Sequence, residues 1–331
     1  MRRFGVEFVP QDLYWRTAFY TIQAEKLGFD FAWITDHFNN RNVYVTLGYL
    51  SGYTSSIKLG LGVTNPYLVH PAVGAQSIAT LNEMAPGRVV LGMGAGDKTT
   101  LDMVGVDQRS PLNAVRDATL VIRKFLVRDA SRYEGKVFVK NEGSRLNFKV
   151  PDSVPIYIGA QGPNMLALAG RIGDGVLINA SHPKDLQEAI VHIEQGASKV
   201  PRALTDLDIA AYTSFSVAKN EKDSKASAAP VVAFIVAGCP QQILEKHDVN
   251  PESAAKIKDA LVKRSWGEAF SSVDDQMLEA FSICGTPATC ADKIEKLFRL
   301  GISQFVAGSP LGPNMRESID LIGKELIPTL R

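Results

Sequence analysis

The strongest constraint on the fold of this chain is an alternation that recurs eight times. A short run rich in Val, Ile and Phe is followed by a polar or glycine-rich turn and then by a segment of helical period. Strands are expected over residues 3–9, 29–35, 57–64, 88–96, 154–161, 175–180, 208–217 and 303–309. Helices are expected over 12–27, 43–53, 71–84, 111–128, 163–172, 183–199, 222–237 and 314–329. In 183–199 the period is plain, with Leu186, Ile190 and Ile193 on one face. Eight strand–helix units predict an α/β fold, a (β/α)8 TIM barrel, with a doubly wound open sheet as the competing arrangement.

A barrel of this kind needs about 250 residues, and the chain has 331. The surplus falls in two places. Residues 129–153 alternate like a hairpin, and 239–302 carry additional helices ahead of the last strand. Both read as insertions into a single domain, because Pro and Gly stay in turns and no low-complexity linker separates two halves.

Composition narrows the class of partner. Lys plus Arg number 36 against 35 Asp plus Glu, a formal net charge of +1, so nothing in the overall balance calls for nucleic acid or an anionic membrane. The longest strongly apolar stretch, "VVAFIVAGC" at 231–239, is far short of the roughly 20 residues that span a bilayer and is expected to be a buried helix. Glu7 and Pro10 interrupt the region after Arg2 and Arg3 where a signal peptide would need an unbroken apolar run, so no export signal is read. Cys239, Cys284 and Cys290 lack CxxC spacing and fit a reducing cytoplasm as small buried side chains better than a disulfide framework.

In a barrel the chemistry gathers at the carboxyl ends of the strands. The polar residues there are Glu7, Asp36 with His37, Thr64 with Asn65, Asp97 with Lys98, Gln161, Asn179, and Thr213 with Ser214. Glu7 stands out because "FGVEFVP" is otherwise apolar, and burial raises a carboxyl pKa toward values useful for proton transfer. The alternative is a structural glutamate paired with an arginine. "GMGAGDK" at 92–98 resembles a phosphate-cradling loop, but it matches neither the Walker spacing nor G-x-G-x-x-G, which disfavours a nicotinamide site. "GAQGPN" at 159–164 joins a strand to a helix start and suits a phosphate better, against the plain alternative of a tight turn. The five histidines show no metal-ligand spacing and no G-x-S-x-G is present, so a catalytic metal and covalent hydrolysis are not expected.

Taken together, "FGVEFVP", "AWITDHFNN", "IKLGLGVTNPY", "GAGDK", "PIYIGAQGP", "DGVLINASHPKD", "VVAFIVAG" and "VAGSPLGP" resemble, in order along nearly the whole chain, the deazaflavin-dependent methylenetetrahydromethanopterin reductases within the bacterial luciferase-like barrels. The pattern departs at Ala95, where proline is expected. The resemblance implies reversible hydride transfer between reduced coenzyme F420, a dissociable cosubstrate, and the methylene bridge of methylenetetrahydromethanopterin or a close pterin analogue, without metal or tightly bound flavin. It implies Glu7 and Asp97 as catalytic residues and a non-prolyl cis peptide at Gly62–Val63 behind the deazaflavin ring. Asp36, Thr64, Asn65, Gly96 and Lys98 would surround the ring or ribityl chain, and Gly159, Ala160, Gln161, Gly162, Asn179 and Ala180 would meet the phosphate. It also implies a homodimer or homotetramer. Two other functions remain open from the sequence: an F420-dependent alcohol or sugar-phosphate dehydrogenase, and a non-catalytic deazaflavin- or flavin-binding protein.

Overall fold

Eight parallel strands, following one another in chain order around the sheet, make a closed barrel with helices between them. In the computed structural model, which describes residues 2–331, they are β1 (Arg3–Phe8), β2 (Phe31–Ile34), β3 (Lys58–Thr64), β4 (Val89–Met93), β5 (Ile156–Ala160), β6 (Gly175–Asn179), β7 (Asp208–Val217) and β8 (Gln304–Leu311). Each expected strand is found, with ends moved by a few residues at most. The open doubly wound sheet is excluded. By its contacts the chain divides into two compact units, one of Gly5–Ile178 with Glu188–Ala210, the other of Asn179–Gln187 and Ala211–Arg331 with the chain start through Phe4.

The helices begin where short polar side chains can take up their first free amides. Asn42, Asp97, Asn220, Asn250, Asp274, Thr286 and Asn314 all accept from a backbone N–H one turn in. The last expected helix, 314–329, is present as Met315–Leu321 and Ile327–Leu330 joined by a π turn at Ile322–Leu326.

Within the unit that begins at Gly5, residues of β1 alternate in role. Phe8 stacks against Tyr20 of the helix Tyr14–Lys26, at 6.4 Å between ring centroids, so the even-numbered side chains of β1 face the helical layer. Glu7 therefore faces the barrel interior. It lies in register with Trp33, which lies in register with Gly60. Trp33 is fully buried, stacks on Phe31 at 5.6 Å and tilts against Tyr157 at 5.4 Å. A Cβ at Gly60 would stand 2.3 Å from Trp33 Cε3, so the indole occupies the volume that any side chain at position 60 would need. The hairpin of 129–153 is short, Tyr133–Glu134 against Val139–Lys140, and hangs on the buried Asp117, which accepts from the Tyr133 hydroxyl at 2.9 Å and from Val137 N at 2.7 Å.

In the other unit, residues 239–302 fold as helices Gln241–Lys246, Pro251–Val262, Trp266–Ser271 and Asp275–Phe281, then a short strand and the helix Pro287–Arg299. The strand, Ile283–Gly285, runs parallel to β7 and is too short to show in the sequence pattern. The stretch 231–239 departs from expectation. Val232, Ala233 and Val236 pack into one cluster with Ile257, Met277 and Phe281, but Phe234 is 56% exposed and lies beside Trp266. The helix Glu221–Gly238 is covered on one face only, because the added helices pack against that face and leave the other to solvent.

Replacing Gly60 with Ala forces the indole of Trp33 out of its place. The expected cost is about 1–3 kcal/mol, read as a lower urea midpoint with an unchanged slope; an unaltered midpoint would show that the interior has slack.

Candidate active site

Strand β3 bends just before its end. Three steps from Leu61 to Thr64 face two steps from Leu91 to Met93 on β4, which leaves one extra residue on β3, and the Gly62–Val63 peptide within this bulge is cis, as the resemblance implied. Val63 is held by an absence of side chains around it. A Cβ at Gly94 would lie 2.6 Å from Val63 Cγ2, and Cβ atoms at Gly92 and Gly159 would lie 3.0 and 3.1 Å from Val63 Cγ1. This accounts for two glycines of "GMGAG" and the first of "GAQG" by packing. A phosphate need not be invoked for them. Gly162, in contrast, faces open space and caps the helix Pro163–Ile172 without a side chain.

The bulge brings Thr64 to Asp36, at the end of β2. The Thr64 hydroxyl donates to Asp36 Oδ2 at 2.6 Å. Burial pushes the Asp36 carboxyl above the usual range, and the Thr64 hydrogen bond and the nearby His37 partly offset this. The Tyr44 hydroxyl adjoins the same pair, shut off from solvent beside Thr64 and Asp36, and burial pushes its pKa up to about 12. Sequence reading did not single out Tyr44, because it sits on the helix Val43–Ser51 and not at a strand end. Its signal would have been its place one helical turn beyond the "TDHFNN" loop.

The loops after β3 and β4 are built from side chains that turn back on the backbone. Asn65 Oδ1 accepts from the amides of Tyr67 and Leu68, both at 3.1 Å. Gly96 has a φ of +75°, a conformation that favours glycine, and lies against Asn65. Gln108, also unremarked in the sequence, donates to the carbonyls of Ala95 and Gly96 at 2.9 and 2.8 Å and pins this loop. Asp97 Oδ1 caps the helix Lys98–Met103 through Thr100 N and Oγ1, each at 2.8 Å. Lys98 reaches Asp102 at 2.8 Å in an exposed ion pair. Among the described residues no group of three His, Cys, Asp or Glu side chains is placed to hold a metal ion.

Glu7, half-buried on its interior row, belongs with Asp36, Thr64, the bulge, Asp97, Lys98 and the turn Gly159–Gly162 to the unit that begins at Gly5. Asn179, the last residue of β6, and Ala180 belong to the other unit. There, Thr213 of β7 donates to Val306 O at 3.1 Å and Ser214 to Ser309 O at 3.4 Å, so both hydroxyls join β7 to β8.

Comparison with known proteins gives this arrangement a context. Residues 16–304 match the model of the family described as luciferase-like monooxygenase. A 5,10-methylenetetrahydromethanopterin reductase of Archaeoglobus fulgidus is 48% identical over 99% of this chain and 100% of its own. The solved coenzyme F420 dependent tetrahydromethanopterin reductase from Methanopyrus kandleri is 42% identical, with a TM-score of 0.96 over 100% of this chain and 99% of its own. An F420-dependent secondary alcohol dehydrogenase, solved in complex with an F420-acetone adduct, is 25% identical with a TM-score of 0.82 over the full length of both.

The hydroxyl of Thr64 favours the charged form of Asp36. Thr64→Val removes that preference while keeping the volume, so the Asp36 carboxyl should titrate at still higher pH in a carbon-detected NMR titration. A downward shift would contradict the assigned hydrogen bond.

Proposed function

The chain belongs to the methylenetetrahydromethanopterin reductases of the luciferase-like family, and from that premise we propose that it catalyses reversible hydride transfer between reduced coenzyme F420 and 5,10-methylenetetrahydromethanopterin, giving the 5-methyl form. The observation that carries the reading is the carboxylate of Glu7 on the interior row of the barrel, in the same unit as the bulge at Gly62–Val63.

The residues fit a flat deazaflavin. Val63, packed among Gly92, Gly94 and Gly159, offers an apolar surface with no bulky neighbour on those three sides. Asp36 and Thr64 stand beside it as a hydrogen-bonded pair for the ring or ribityl chain, with Asn65, Gly96 and Lys98 on the adjoining loops. Gly159–Gly162 would hold the phosphate at an open helix start. When bound, the coenzyme supplies the hydride. The protein supplies position and a proton: Glu7, in a half-buried setting, holds the proton that a pterin nitrogen needs as the methylene ring opens. Asp97 is the second acid in this scheme, through the oxygen that its helix cap does not use.

The finer features follow the same reading. The coenzyme is a dissociable cosubstrate, and neither metal nor tightly bound flavin takes part. The chain is one barrel domain with insertions at 129–153 and 239–302, working in the cytoplasm. It pairs as a homodimer or homotetramer, for which the exposed aromatic face of Tyr14, Trp15 and Tyr53, with Tyr14 edge-on to Tyr49 at 5.0 Å, gives the support.

Oxidation of reduced F420, followed by absorbance, should require added methylene-pterin and should fail with alcohols or sugar phosphates alone. Turnover with an alcohol would instead favour the dehydrogenase reading, and tight binding without turnover a carrier. Glu7→Gln should lower kcat about 10²- to 10⁴-fold with coenzyme binding largely kept; full activity in that variant would remove Glu7 from the mechanism.

A further inference from the structure

Beside the bulge of β3, side chains from three elements form a small polar group inside the unit that begins at Gly5. They are Asp36 after β2, Thr64 at the end of β3 and Tyr44 on the helix Val43–Ser51. Thr64 is 2% exposed and gives its one hydrogen to Asp36 Oδ2 at 2.6 Å. The Tyr44 hydroxyl is shut off from solvent, with Thr64 as its hydrogen-bonding neighbour, and it feels Asp36 as a charge. Its other side is apolar. A Cβ on Gly74 would stand 3.7 Å from the Tyr44 hydroxyl, 3.8 Å from Val69 Cγ1 and 3.9 Å from Ile122 Cδ1, so the hydroxyl lies over a glycine between two aliphatic side chains. Tyr44 stands in the first turn of its helix. Asn42 fixes that turn, accepting from Val45 N through Oδ1 at 3.1 Å and from Thr46 Oγ1 through its carbonyl at 2.9 Å.

A threonine hydroxyl has one hydrogen to give and two lone pairs with which to accept. With its hydrogen on Asp36, Thr64 can only accept from Tyr44, so the hydrogens run one way, from Tyr44 to Thr64 to Asp36. The burial that raises the Tyr44 pKa to about 12 keeps the phenol in its donor form. Bonds in such a chain polarise one another, and a donor behind Thr64 strengthens its preference for the charged form of Asp36. Burial pushes the Asp36 carboxyl up, and Thr64 first, then His37, the other charge it feels, act against this. The carboxylate keeps a second oxygen, Oδ1, that the Thr64 bond does not use.

We propose that Tyr44 is a positioning residue: through the Thr64 hydroxyl it orients Asp36 and keeps it ionised, so that Oδ1 is held as an acceptor for a hydroxyl or N–H of the coenzyme's ring or ribityl chain. This rests on the assignment of Asp36 to the coenzyme.

The test is a double-mutant cycle of Tyr44→Phe and Thr64→Val, with the Asp36 carboxyl followed by carbon-detected NMR and F420 binding by calorimetry without pterin. Phenylalanine keeps the ring and removes only the hydroxyl. In the parent background Tyr44→Phe should raise the pH midpoint of Asp36 by about 0.5–1 and weaken F420 binding about threefold. In the Thr64→Val background the same change should move the midpoint no further, and Thr64→Ser, which restores the hydroxyl, should titrate like the parent. An unchanged midpoint or an unchanged affinity in Tyr44→Phe, or an equal rise in both backgrounds, overturns the inference while leaving the coenzyme reading in place. A parent that binds no F420 overturns both.

Discussion

A parallel barrel has to fill its own interior, and in this protein the indole of Trp33 does so on the row that also carries Glu7. Its volume is admitted because β3 presents Gly60 alongside, and it packs on Phe31 and Tyr157. A glutamate on an interior face is costly unless something nearby is polar or wet. Its place near the carboxyl end of its strand leaves it half-buried, while its neighbours Val6 and Phe8 are fully buried.

The second constraint is the contact between β3 and its neighbours. One extra residue on β3 turns Val63 toward Gly92, Gly94 and Gly159, and the same displacement carries Thr64 to Asp36. The glycines of the β4 loop thus have a packing role before any ligand is considered. Farther along, Gln108, Asn65 and Asp97 spend hydrogen bonds on the loops themselves, which rigidifies the surround of the candidate site.

The legible part of the site was the part that breaks a local rule. Glu7 shows because a carboxylate interrupts an apolar strand, and Asp36 because it follows one. Tyr44 and Gln108 break no rule in sequence: a tyrosine in a helix and a glutamine in a loop are ordinary. The His182–His247 contact joins residues 65 positions apart. Only folding brings the end of the helix Gln241–Lys246 to the segment after β6, so no local pattern could announce it. The exposed flank of the helix Glu221–Gly238 was hidden for the opposite reason, since an unbroken apolar run reads as buried whichever faces are covered.

By itself the sequence determined the eight strand–helix units, their order and the strand ends where polar residues gather. These depend on periodicity and turn chemistry, which act over a few residues. The tertiary structure decided which glycines answer to Trp33 and Val63, that Thr64 meets Asp36, and that two histidines far apart in the chain share one buried group. Those depend on close packing between segments, and the volume and charge that each side chain meets are set by neighbours that the chain supplies only once the barrel has closed.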